Sequence, residues 1–281
     1  MKIALIPNLT RDNSLDVSLN ICKELDKIGI EYLIDNCYSK EFAQTNAMFS
    51  EQDIIKECDI VISVGGDGTI LSTAKKAVKY GKPILGVNAG RVAFMAGLEP
   101  TELHHLKCLI DGNYKIDKRM MLEVSGKDFE GKIICINDAF VGRGRHINMA
   151  ELEVRCNGML VNNYYADGVI LSTPTGSTAY SLSAGGPVID PEIESMMLTP
   201  VCTHSLFSRA LIFKKDSEIE IINRNRNSEE VFLSCDGNES IVIPVNSKVT
   251  IKKADKSAEF IRIKNDTFVD ILNTKLSQRR A

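Results

Sequence analysis

The nine residues 61–69, VISVGGDGT, constrain the fold of this chain more than any other stretch. Residues 61–64 are predicted to form a buried strand, and three glycines follow within four positions, with one acid, Asp67, among them. A helical pattern opens at Thr69 and continues to Val78. A strand, a glycine turn and a helix start together present backbone N–H groups and a helix dipole to an anion, most often a phosphate. The stretch therefore predicts an α/β unit that binds phosphate.

Asp67 is the unexpected member of this turn, because a carboxylate repels phosphate. Its presence is explained if it accepts a proton or holds a magnesium ion, and both roles indicate phosphoryl transfer. The glycines are expected to adopt positive φ and to let phosphate approach the backbone closely. The alternative interpretation is a plain tight turn, which the strand before it and the helix after it disfavour.

The first third of the chain alternates strands with helices. This order predicts a mostly parallel sheet with ligands at the carboxyl ends of its strands. A helix is expected over 14–28, with Gly29 as its C-cap. The glycine turn and the sequence Asn88-Ala89-Gly90 both lie at strand ends. The predicted strands are 2–6, 31–34, 59–64 and 82–88.

The sequence pattern changes near Lys118. Short apolar runs separated by Gly, Asn and charged residues then continue to about Lys253, a spacing typical of a β-rich domain. The tail carries a strand-like stretch, 259–263, and an amphipathic helix, 267–276, and we expect it to dock back on the first domain. Examples of these strand-like runs in the second domain are 121–124, 132–136, 151–155, 169–172, 211–213, 218–222, 231–233 and 248–251.

These patterns predict an α/β plus all-β architecture. A Rossmann-like α/β domain over 1–118, completed by the tail 256–281, would carry the GGDGT turn and the phosphate donor. A β-rich domain over 119–255 would bind the second substrate.

Composition excludes several classes of protein. Apolar residues make up 44% and charged residues 25% of the 281 positions, which is ordinary for a soluble globular protein. The net charge of −3 gives no basic excess for nucleic acid, and no apolar run approaches the ~20 residues of a membrane span. The N-terminus lacks a signal-peptide layout. We expect a cytoplasmic protein with neither nucleic acid nor a membrane as a partner.

The eight cysteines and four histidines give no sign of a metal centre. There is no C-x-x-C pair and no zinc-binding spacing of histidines. The cysteines lie in apolar runs and resemble small hydrophobic residues in a reducing compartment. We expect neither a structural metal nor a disulfide framework.

A second motif spans 167–187 and contains a strand, a Pro/Gly turn and a short helix to about Ala184. Hydroxyl residues at 175, 177 and 178 are expected to cap this helix, and a Gly-Gly pair at 185 and 186 to end it. Small hydroxylated residues at a helix start offer donors to a polar planar ligand or to phosphate. Tyr180 either stacks on a base or fills the core. The alternative interpretation of the motif is a Ser/Thr-rich capped loop.

Two shorter motifs carry polar side chains. Asn137 and Asp138 follow the predicted strand 132–136 and supply an amide and an acid, which suit ribose hydroxyls or the edge of a base. The alternative for this pair is a turn. Residues 234–238 contain Asp-Gly and predict a hairpin turn.

Together these motifs resemble a known family. The sequence GGDGT at 65–69 is similar to a motif shared by NAD kinases, 6-phosphofructokinases and diacylglycerol kinases, whereas 167–187, with TPTGSTAYS at 173–181, resembles the NAD kinase signature specifically. Residues 88–91, 137–138, 198–200 and 204–206 match that family in order and spacing. The resemblance covers nearly the whole chain.

The resemblance implies an α/β domain, a β-rich domain and a returning C-terminus, with the active site between the domains. It implies transfer of the terminal phosphoryl group of ATP, or in some bacterial members of polyphosphate, to the 2′-hydroxyl of the adenosine ribose of NAD. The implied product is NADP, and the implied cofactor is a divalent metal ion, usually Mg²⁺. A homodimer or homotetramer is the implied assembly.

Matched residue by residue, the resemblance makes Asp67 the proton acceptor for the 2′-hydroxyl. Cys202 stands where the family often has alanine, so its contact would come from the backbone. The implied phosphate-binding residues are Gly66, Gly68 and Thr69. The implied dinucleotide-binding residues are Asn137, Asp138, Asp167, Thr178, Ala179, Tyr180, Ser181, Leu182, Ser183 and Asn238.

Four features depart from the family pattern: three single residues and one basic run. Asp138 and Asn238 are each one methylene shorter than the usual glutamate and glutamine. Tyr165 stands where an arginine or lysine is common, and the basic run 142–145 is placed to replace the lost phosphate contact. These departures leave the reaction class unchanged and bear on the phosphoryl donor and on the choice between NAD and NADH.

Two other functions stay open at this point. A lipid or sugar kinase would use the same glycine–aspartate turn, but the motif at 167–187 disfavours it. A non-catalytic dinucleotide-binding sensor would keep the pocket, but the intact Asp67 disfavours it.

Overall fold

The first unit of the fold is assembled from both ends of the chain. The structure, a computed structural model, describes residues 1–10, 13–42, 50–90, 93–144, 148–204, 208–225, 230–238 and 240–278. Met1–Lys118 and Ala258–Ala281 form one compact unit, and Arg119–Ser257 form the other. No helix in the described ranges is long and apolar enough to cross a membrane.

In the first stretch of this unit, strands and helices alternate. Two 3₁₀ helices, Asn36–Tyr38 and Pro100–Leu109, lie between them. The elements are β1 (Lys2–Pro7), α1 (Ser14–Lys27), β2 (Glu31–Leu33), α2 (Glu51–Glu57), β3 (Ile60–Gly65), α3 (Asp67–Lys79), β4 (Ile84–Asn88) and β5 (Lys115–Arg119).

The second unit consists mostly of antiparallel strands. Its helical residues are a 3₁₀ turn, Thr175–Thr178, and the short α4 (Tyr180–Ser183). Its strands are β6 (Leu122–Gly126), β7 (Ile133–Cys135), β8 (Asp138–Arg143), β9 (Ala150–Cys156), β10 (Met159–Ala166), β11 (Gly168–Ser172), β12 (Ser195–Val201), β13 (Leu211–Lys214), β14 (Ile219–Asn223), β15 (Val231–Cys235), β16 (Ser240–Ile243) and β17 (Lys248–Lys253).

The chain then returns to the first unit through β18 (Ala258–Arg262) and α5 (Phe268–Gln278). β18 lies between β4 and β5, so the first sheet has the order β2-β1-β3-β4-β18-β5. β18 pairs with β4 in parallel. The predicted return of the tail to the α/β domain is therefore confirmed.

The strand order places a ligand site in the first sheet. β1 pairs in parallel with β2 on one side and with β3 on the other, so the direction of the chain's progress reverses between β1 and β3. In open parallel sheets, ligands bind outside the carboxyl ends of the strands at such a reversal. β3 and β4 are buried along their whole length, and α1 faces the sheet with Val17, Ile21 and Leu25.

Two six-stranded sheets form the second unit. Their orders are β10-β9-β14-β17-β6-β7 and β13-β12-β11-β8-β15-β16, with antiparallel pairing throughout the recorded registers. Alternate residues of both sheets, such as Leu152, Val154, Val169 and Leu171, share one hydrophobic core. The predicted α/β plus all-β architecture is confirmed.

Several strands were not predicted from the sequence. β8 and β12 were missed because their patterns do not alternate: β8 begins with a buried acid, Asp138, and β12 is buried at every position and contains Pro200. β10 was missed because its central residues, such as Asn162 and Asn163, are polar. It lies at a sheet edge, where most of its residues are accessible to solvent and only Tyr164 and Ala166 are buried.

Candidate active site

The carboxyl ends of β1 and β3 are joined by side chains as well as by the sheet. Asn8 follows β1 directly, and its Nδ2 donates a hydrogen bond of 2.8 Å to Oγ1 of Thr69 in the first turn of α3. The Asn8 backbone N–H donates to the carbonyl oxygen of Val64 at 3.0 Å. Asn8 was not predicted from the sequence as a site residue. A polar residue directly after a buried strand was the available signal.

Asp67 is the first residue of α3, so the helix begins two residues earlier than predicted. Gly66 is its N-cap, with extended backbone. The Asp67 carboxylate accepts one backbone N–H on each oxygen: Phe94 donates to Oδ2 at 3.0 Å, and Met95 donates to Oδ1 at 2.8 Å. These two bonds fix the orientation of a half-buried carboxylate at the positive end of a helix.

The glycines of the turn act through their missing side chains. The prediction of positive φ is wrong, because Gly65, Gly66 and Gly68 are absent from the positive-φ residues of this structure. A Cβ on Gly65 would lie 2.6 Å from Cβ and Oγ1 of Thr69. A Cβ on Gly66 or Gly68 would meet no protein atom within 4 Å, so both glycines border open space beside Asp67.

Asn88 orders the end of β4 next to the glycine turn. Its side chain is buried, and its Oδ1 accepts the Gly90 N–H at 2.9 Å while its Nδ2 donates to Glu99 at 2.8 Å. The Ala89 N–H donates to the Gly65 carbonyl oxygen at 3.1 Å. Arg91, which completed the motif 88–91, lies outside the described residues.

The second unit contains a pocket of about 310 Å³. Four of its lining residues, Asn137, Asp138, Ala179 and Tyr180, were expected from the sequence to bind a nucleotide. The pocket is completed by Phe140, Ser234, Asp236 and Gly237.

Asp236 lines this pocket and binds the backbone of other residues beside it. The predicted hairpin turn is present between β15 and β16: Asp236 and Gly237 adopt positive φ of 52° and 70°, and the Asn238 N–H donates to the Cys235 carbonyl oxygen at 3.1 Å. The Asp236 carboxylate accepts backbone N–H groups from Ile136, Asn137 and Asp138 at 2.8–3.0 Å. From the sequence, Asp236 was expected to contribute to the turn alone. Donors on the backbone leave no signal in the sequence.

The backbone of Ile136 and Asn137 is also bound by Thr173, which follows β11. The Thr173 N–H donates to the Asn137 carbonyl oxygen at 2.8 Å, and Thr173 Oγ1 donates to that of Ile136 at 2.6 Å. A Cβ on Gly176 would lie 2.1 Å from the Asn137 carbonyl oxygen. The expected position of Asn137 and Asp138 at the end of a strand is corrected, because Asp138 begins β8.

The predicted helix cap in the second motif is also corrected. Neither the 3₁₀ turn nor α4 has a side-chain cap. Ser177 Oγ and Thr178 Oγ1 donate back to the carbonyl oxygens of Pro174 and Thr175, and the Thr175 hydroxyl accepts from Arg119 at 3.3 Å. The helix ends as predicted before a glycine, Gly185, with φ of 86°.

Tyr180 stands at the pocket mouth. Its side chain is 45% exposed, which rules out the core interpretation, and its ring lies 5.6 Å from that of Phe140 at an interplanar angle of 57°. Burial raises the pKa of the Tyr180 hydroxyl, and the nearby Cys202, Asp167 and Asp138 raise it further. Four of the predicted site residues therefore lie close enough to interact electrostatically: Tyr180, Cys202, Asp167 and Asp138.

Two comparisons of sequence identify the family. Residues 3–114 match the model of the ATP-NAD kinase N-terminal domain, and residues 136–263 match that of the ATP-NAD kinase C-terminal domain. The NAD kinase of Caldanaerobacter subterraneus subsp. tengcongensis is 35% identical over 282 aligned residues, which cover 99% of each chain. The chain belongs to the NAD kinase family.

Other members of the NAD kinase family agree in sequence and in fold. The NAD kinase of Legionella pneumophila strain Corby is 36% identical over 253 residues, or 88% of this chain and 85% of the relative. Yeast NADH kinase, solved in complex with NADH, has a TM-score of 0.86 at 25% identity and covers 99% of this chain and 87% of its own. An Archaeoglobus fulgidus NAD kinase, solved with ATP, has a TM-score of 0.78 at 25% identity, covering 99% of both chains.

The remaining residues matched to the NAD kinase motifs differ in accessibility. Asp167 is half-buried, and its carboxylate pairs with Arg143 Nε at 2.7 Å. Ser181 is fully buried, with its hydroxyl 2.8 Å from that of Thr199. Cys202 is exposed with φ of 47°. Thr178 and Leu182 are half-buried, whereas Ser183 and Asn238 are exposed.

The structure describes the basic run 142–145 and the matched segment 204–206 only in part. Arg143 lies in β8, whereas Arg145 of the basic run lies outside the described residues. His204 donates its N–H to the Tyr165 carbonyl oxygen at 2.8 Å. Ser205 and Leu206 lie outside the described residues.

Proposed function

We propose that this chain transfers the terminal phosphoryl group of ATP to the 2′-hydroxyl of the adenosine ribose of NAD and so produces NADP. One observation supports the proposal most directly: a carboxylate, that of Asp67, is fixed by two N–H bonds at the start of a helix, beside glycines that border open space. A phosphate site alone has no use for that carboxylate, whereas a phosphotransferase needs a proton acceptor near the phosphate.

The α3 N-terminus is proposed to hold the donor. Gly66, Gly68 and Thr69 would contact the phosphates with backbone N–H groups and a hydroxyl, and the helix dipole favours the negative charge there. Asn8 orients the Thr69 hydroxyl through the 2.8 Å bond. Because phosphoryl transfer depends on positioning and charge stabilisation more than on covalent chemistry, a rigid cradle of this kind supplies much of what catalysis needs.

Asp67 is proposed to accept the proton of the 2′-hydroxyl. A ribose hydroxyl has a high pKa, so a carboxylate acts best by taking the proton as the new P–O bond forms. The bonds from Phe94 and Met95 keep the carboxylate in one orientation, which removes the entropy cost of aligning it in each turnover.

The pocket of the second unit is proposed to hold NAD. Tyr180 and Phe140 offer aromatic faces for the adenine, and Asn137 and Asp138 offer polar groups for the ribose. Asp167 and the Cys202 backbone are proposed to contact the rest of the dinucleotide. The roles of Thr178, Ala179, Ser181, Leu182, Ser183 and Asn238 as neighbours of the nucleotide are proposals from the motif match.

Mg²⁺ is the proposed metal. Among the described residues, no group of three or more His, Cys, Asp or Glu side chains is arranged to hold a metal ion. A single carboxylate beside bound phosphates is enough for Mg²⁺, which proteins commonly hold through one or two carboxylates together with substrate phosphates and water. Asp67 is the carboxylate at the proposed phosphate site. The metal would neutralise charge that develops on the phosphates.

The deciding experiment measures NADP directly. The purified chain is incubated with NAD, ATP and Mg²⁺, and NADP is detected with an NADP-specific dehydrogenase, with polyphosphate as donor in a parallel reaction. NADP formation establishes the reaction and identifies the donor. Absence of product with both donors, while NAD binding is detected by calorimetry, would replace the kinase with the non-catalytic sensor. Family membership disfavours the lipid or sugar kinase, and a substrate panel in the same assay tests it.

We also propose a cytoplasmic homodimer or homotetramer. The eight cysteines are all free thiols in the structure, in keeping with a reducing compartment. Light scattering on the purified chain would measure the assembly, and a monomer at micromolar concentration would contradict the oligomer.

A further inference from the structure

The stretch of backbone that binds the Asp67 carboxylate is itself bound by an arginine side chain from the tail of the chain. We name residues 93–98 the carboxylate-holding segment, because Phe94 and Met95 donate their N–H groups to Asp67. The next residue, Ala96, points its carbonyl oxygen at the tail of the chain. Nη1 of Arg262, the last residue of β18, donates to that oxygen at 3.3 Å.

Arg262 is anchored by a second contact. Its Nε lies 3.2 Å from Oδ2 of Asp117 on β5, and the two side chains are only 17% and 20% exposed. A guanidinium presents several N–H groups in a rigid plane, so one arginine can bind a carboxylate and a carbonyl oxygen at the same time. Arg262 therefore fixes the carboxylate-holding segment to the sheet through β5.

The downstream end of this segment has little freedom. The N–H groups of Gly97 and Leu98 both donate to the Gly86 carbonyl oxygen, at 2.8 and 3.2 Å. A Cβ on Gly97 would lie 3.0 Å from a Leu85 methyl group and 3.1 Å from the Ile261 carbonyl oxygen. Ala96 connects this fixed end to Phe94 and Met95. At Ala96 the segment is held by a side chain, because Arg262 donates to the Ala96 carbonyl oxygen.

We propose that Arg262 is a positioning residue for phosphoryl transfer: it holds the carboxylate-holding segment so that the Asp67 carboxylate keeps its reactive orientation. The inference rests on the proposed function, in which Asp67 accepts the proton. It assigns a catalytic consequence to the returning tail, whose residues are far from the nucleotide-binding motifs in sequence.

A cavity beside Arg262 makes a direct test practical. It has a volume of about 250 Å³ and is lined by Arg262, Lys264, Glu102, Asp270 and neighbouring residues. Replacing Arg262 by alanine would extend this space and leave Asp117 and the Ala96 carbonyl oxygen without the guanidinium. A free guanidinium ion is small enough to enter such a cavity and can donate to both groups.

The experiment compares Arg262→Ala and Arg262→Lys with the wild-type chain, by steady-state kinetics with NAD, ATP and Mg²⁺. We expect kcat of the alanine variant to fall by about 10–100-fold, with both KM values within about twofold of wild type, since loss of orientation affects the transition state rather than binding. The lysine variant should lose less kcat than the alanine variant, because an ammonium can keep one of the two contacts. It should still fall below wild type, because one ammonium cannot reproduce the two-sided contact. Millimolar guanidinium chloride should restore part of the alanine variant's kcat.

Two controls separate positioning from stability and from the function itself. Lys264→Ala removes a cation that lines the same cavity and pairs with Glu102 and Asp266, and it should keep wild-type kcat. Guanidinium should not restore Asp67→Asn. A wild-type chain that makes no NADP refutes the proposed function. The positioning role is refuted if the wild type is active, Arg262→Lys has wild-type kcat, and Arg262→Ala does not respond to guanidinium. If Arg262→Ala does not fold, kcat of the lysine variant decides alone: a reduced kcat at unchanged KM supports the role, and a wild-type kcat overturns it.

Discussion

The Asp67 side chain carries the chemical part of the proposed function. Replacing it with asparagine keeps the shape of the side chain and removes the base. We expect NAD to bind normally while kcat falls by about 10²–10⁴-fold, the usual contribution of a general base. Calorimetry with NAD and the coupled NADP assay measure the two effects separately.

Asp16→Asn is a matched control, because Asp16 is also an acid in the first turn of a helix but is exposed on α1. It should leave both binding and rate unchanged. A rate near wild type in Asp67→Asn would remove Asp67 from the proton-accepting role.

Tyr180 tests the proposed nucleotide pocket. Its half-exposed ring beside Phe140 is free to stack on a base. We expect Tyr180→Ala to raise the KM for NAD by about tenfold, in line with roughly 1–3 kcal/mol for base–aromatic stacking, and to lower kcat less. Tyr180→Phe keeps the ring and should retain a KM near wild type. An unchanged KM in the alanine variant would contradict stacking.

At the scale of elements, the turn between β3 and α3 contains two kinds of glycine. Gly65→Ala places a methyl group against Thr69, and we expect it to destabilise the fold by roughly 1–3 kcal/mol, the usual cost of overpacking. Gly68 lies in the first turn of α3 without positive φ and beside open space. Gly68→Ala should keep or slightly raise the Tm, as alanine favours a helix, while it raises the KM for ATP several-fold.

Thermal unfolding and ATP kinetics on the two variants distinguish packing from ligand binding. Equal Tm losses in both variants would contradict the difference in packing. An unchanged KM for ATP in Gly68→Ala would show that the phosphates do not use the space beside Gly68.

An ion pair between strands makes part of the second unit's stability depend on pH. Glu153 on β9 is bound by Arg224, which follows β14 and donates at 2.8 Å, and by Arg155, and these arginines hold the pKa of Glu153 below its usual range. The stabilisation is present above the unfolded carboxyl pKa of about 4.3 and is lost as the pH falls through the lower folded value. We expect the Tm of wild type to fall more steeply below about pH 5 than that of Glu153→Gln. Parallel curves would contradict this, and added salt should weaken the difference because the pair is near the surface.

Sequence patterns identified the elements that carry side-chain signals and missed those that depend on the backbone. The GGDGT turn was found because glycine and aspartate are unusual together after a buried strand. The N–H groups of Phe94 and Met95 were not found, because every residue type except proline carries such a donor. Asp236 was assigned correctly to its turn, but its three backbone partners lie about 100 residues away in sequence.

At the scale of the whole molecule, the two units differ in how their strands are distributed along the chain. The second unit contains all of its strands, β6 to β17, within one continuous stretch, whereas the first unit lacks β18 until the chain returns. We expect a fragment of residues 119–257 to unfold cooperatively on heating, and a fragment of residues 1–118 to show no cooperative transition. Near-UV circular dichroism of the two fragments measures this. Native-like, cooperative unfolding of residues 1–118 would show that β18 is dispensable.

The position of β18 between β4 and β5 also determines when the first sheet can be completed during synthesis of the chain. About 140 residues separate β5 from β18 along the chain. At roughly 5–20 residues per second, a ribosome needs about 7 to 28 seconds to synthesise them. During that interval β18 does not yet exist, so β4 and β5 lack the strand that lies between them and the first sheet cannot be completed. The part of the protein that is made first is therefore the part that finishes folding last.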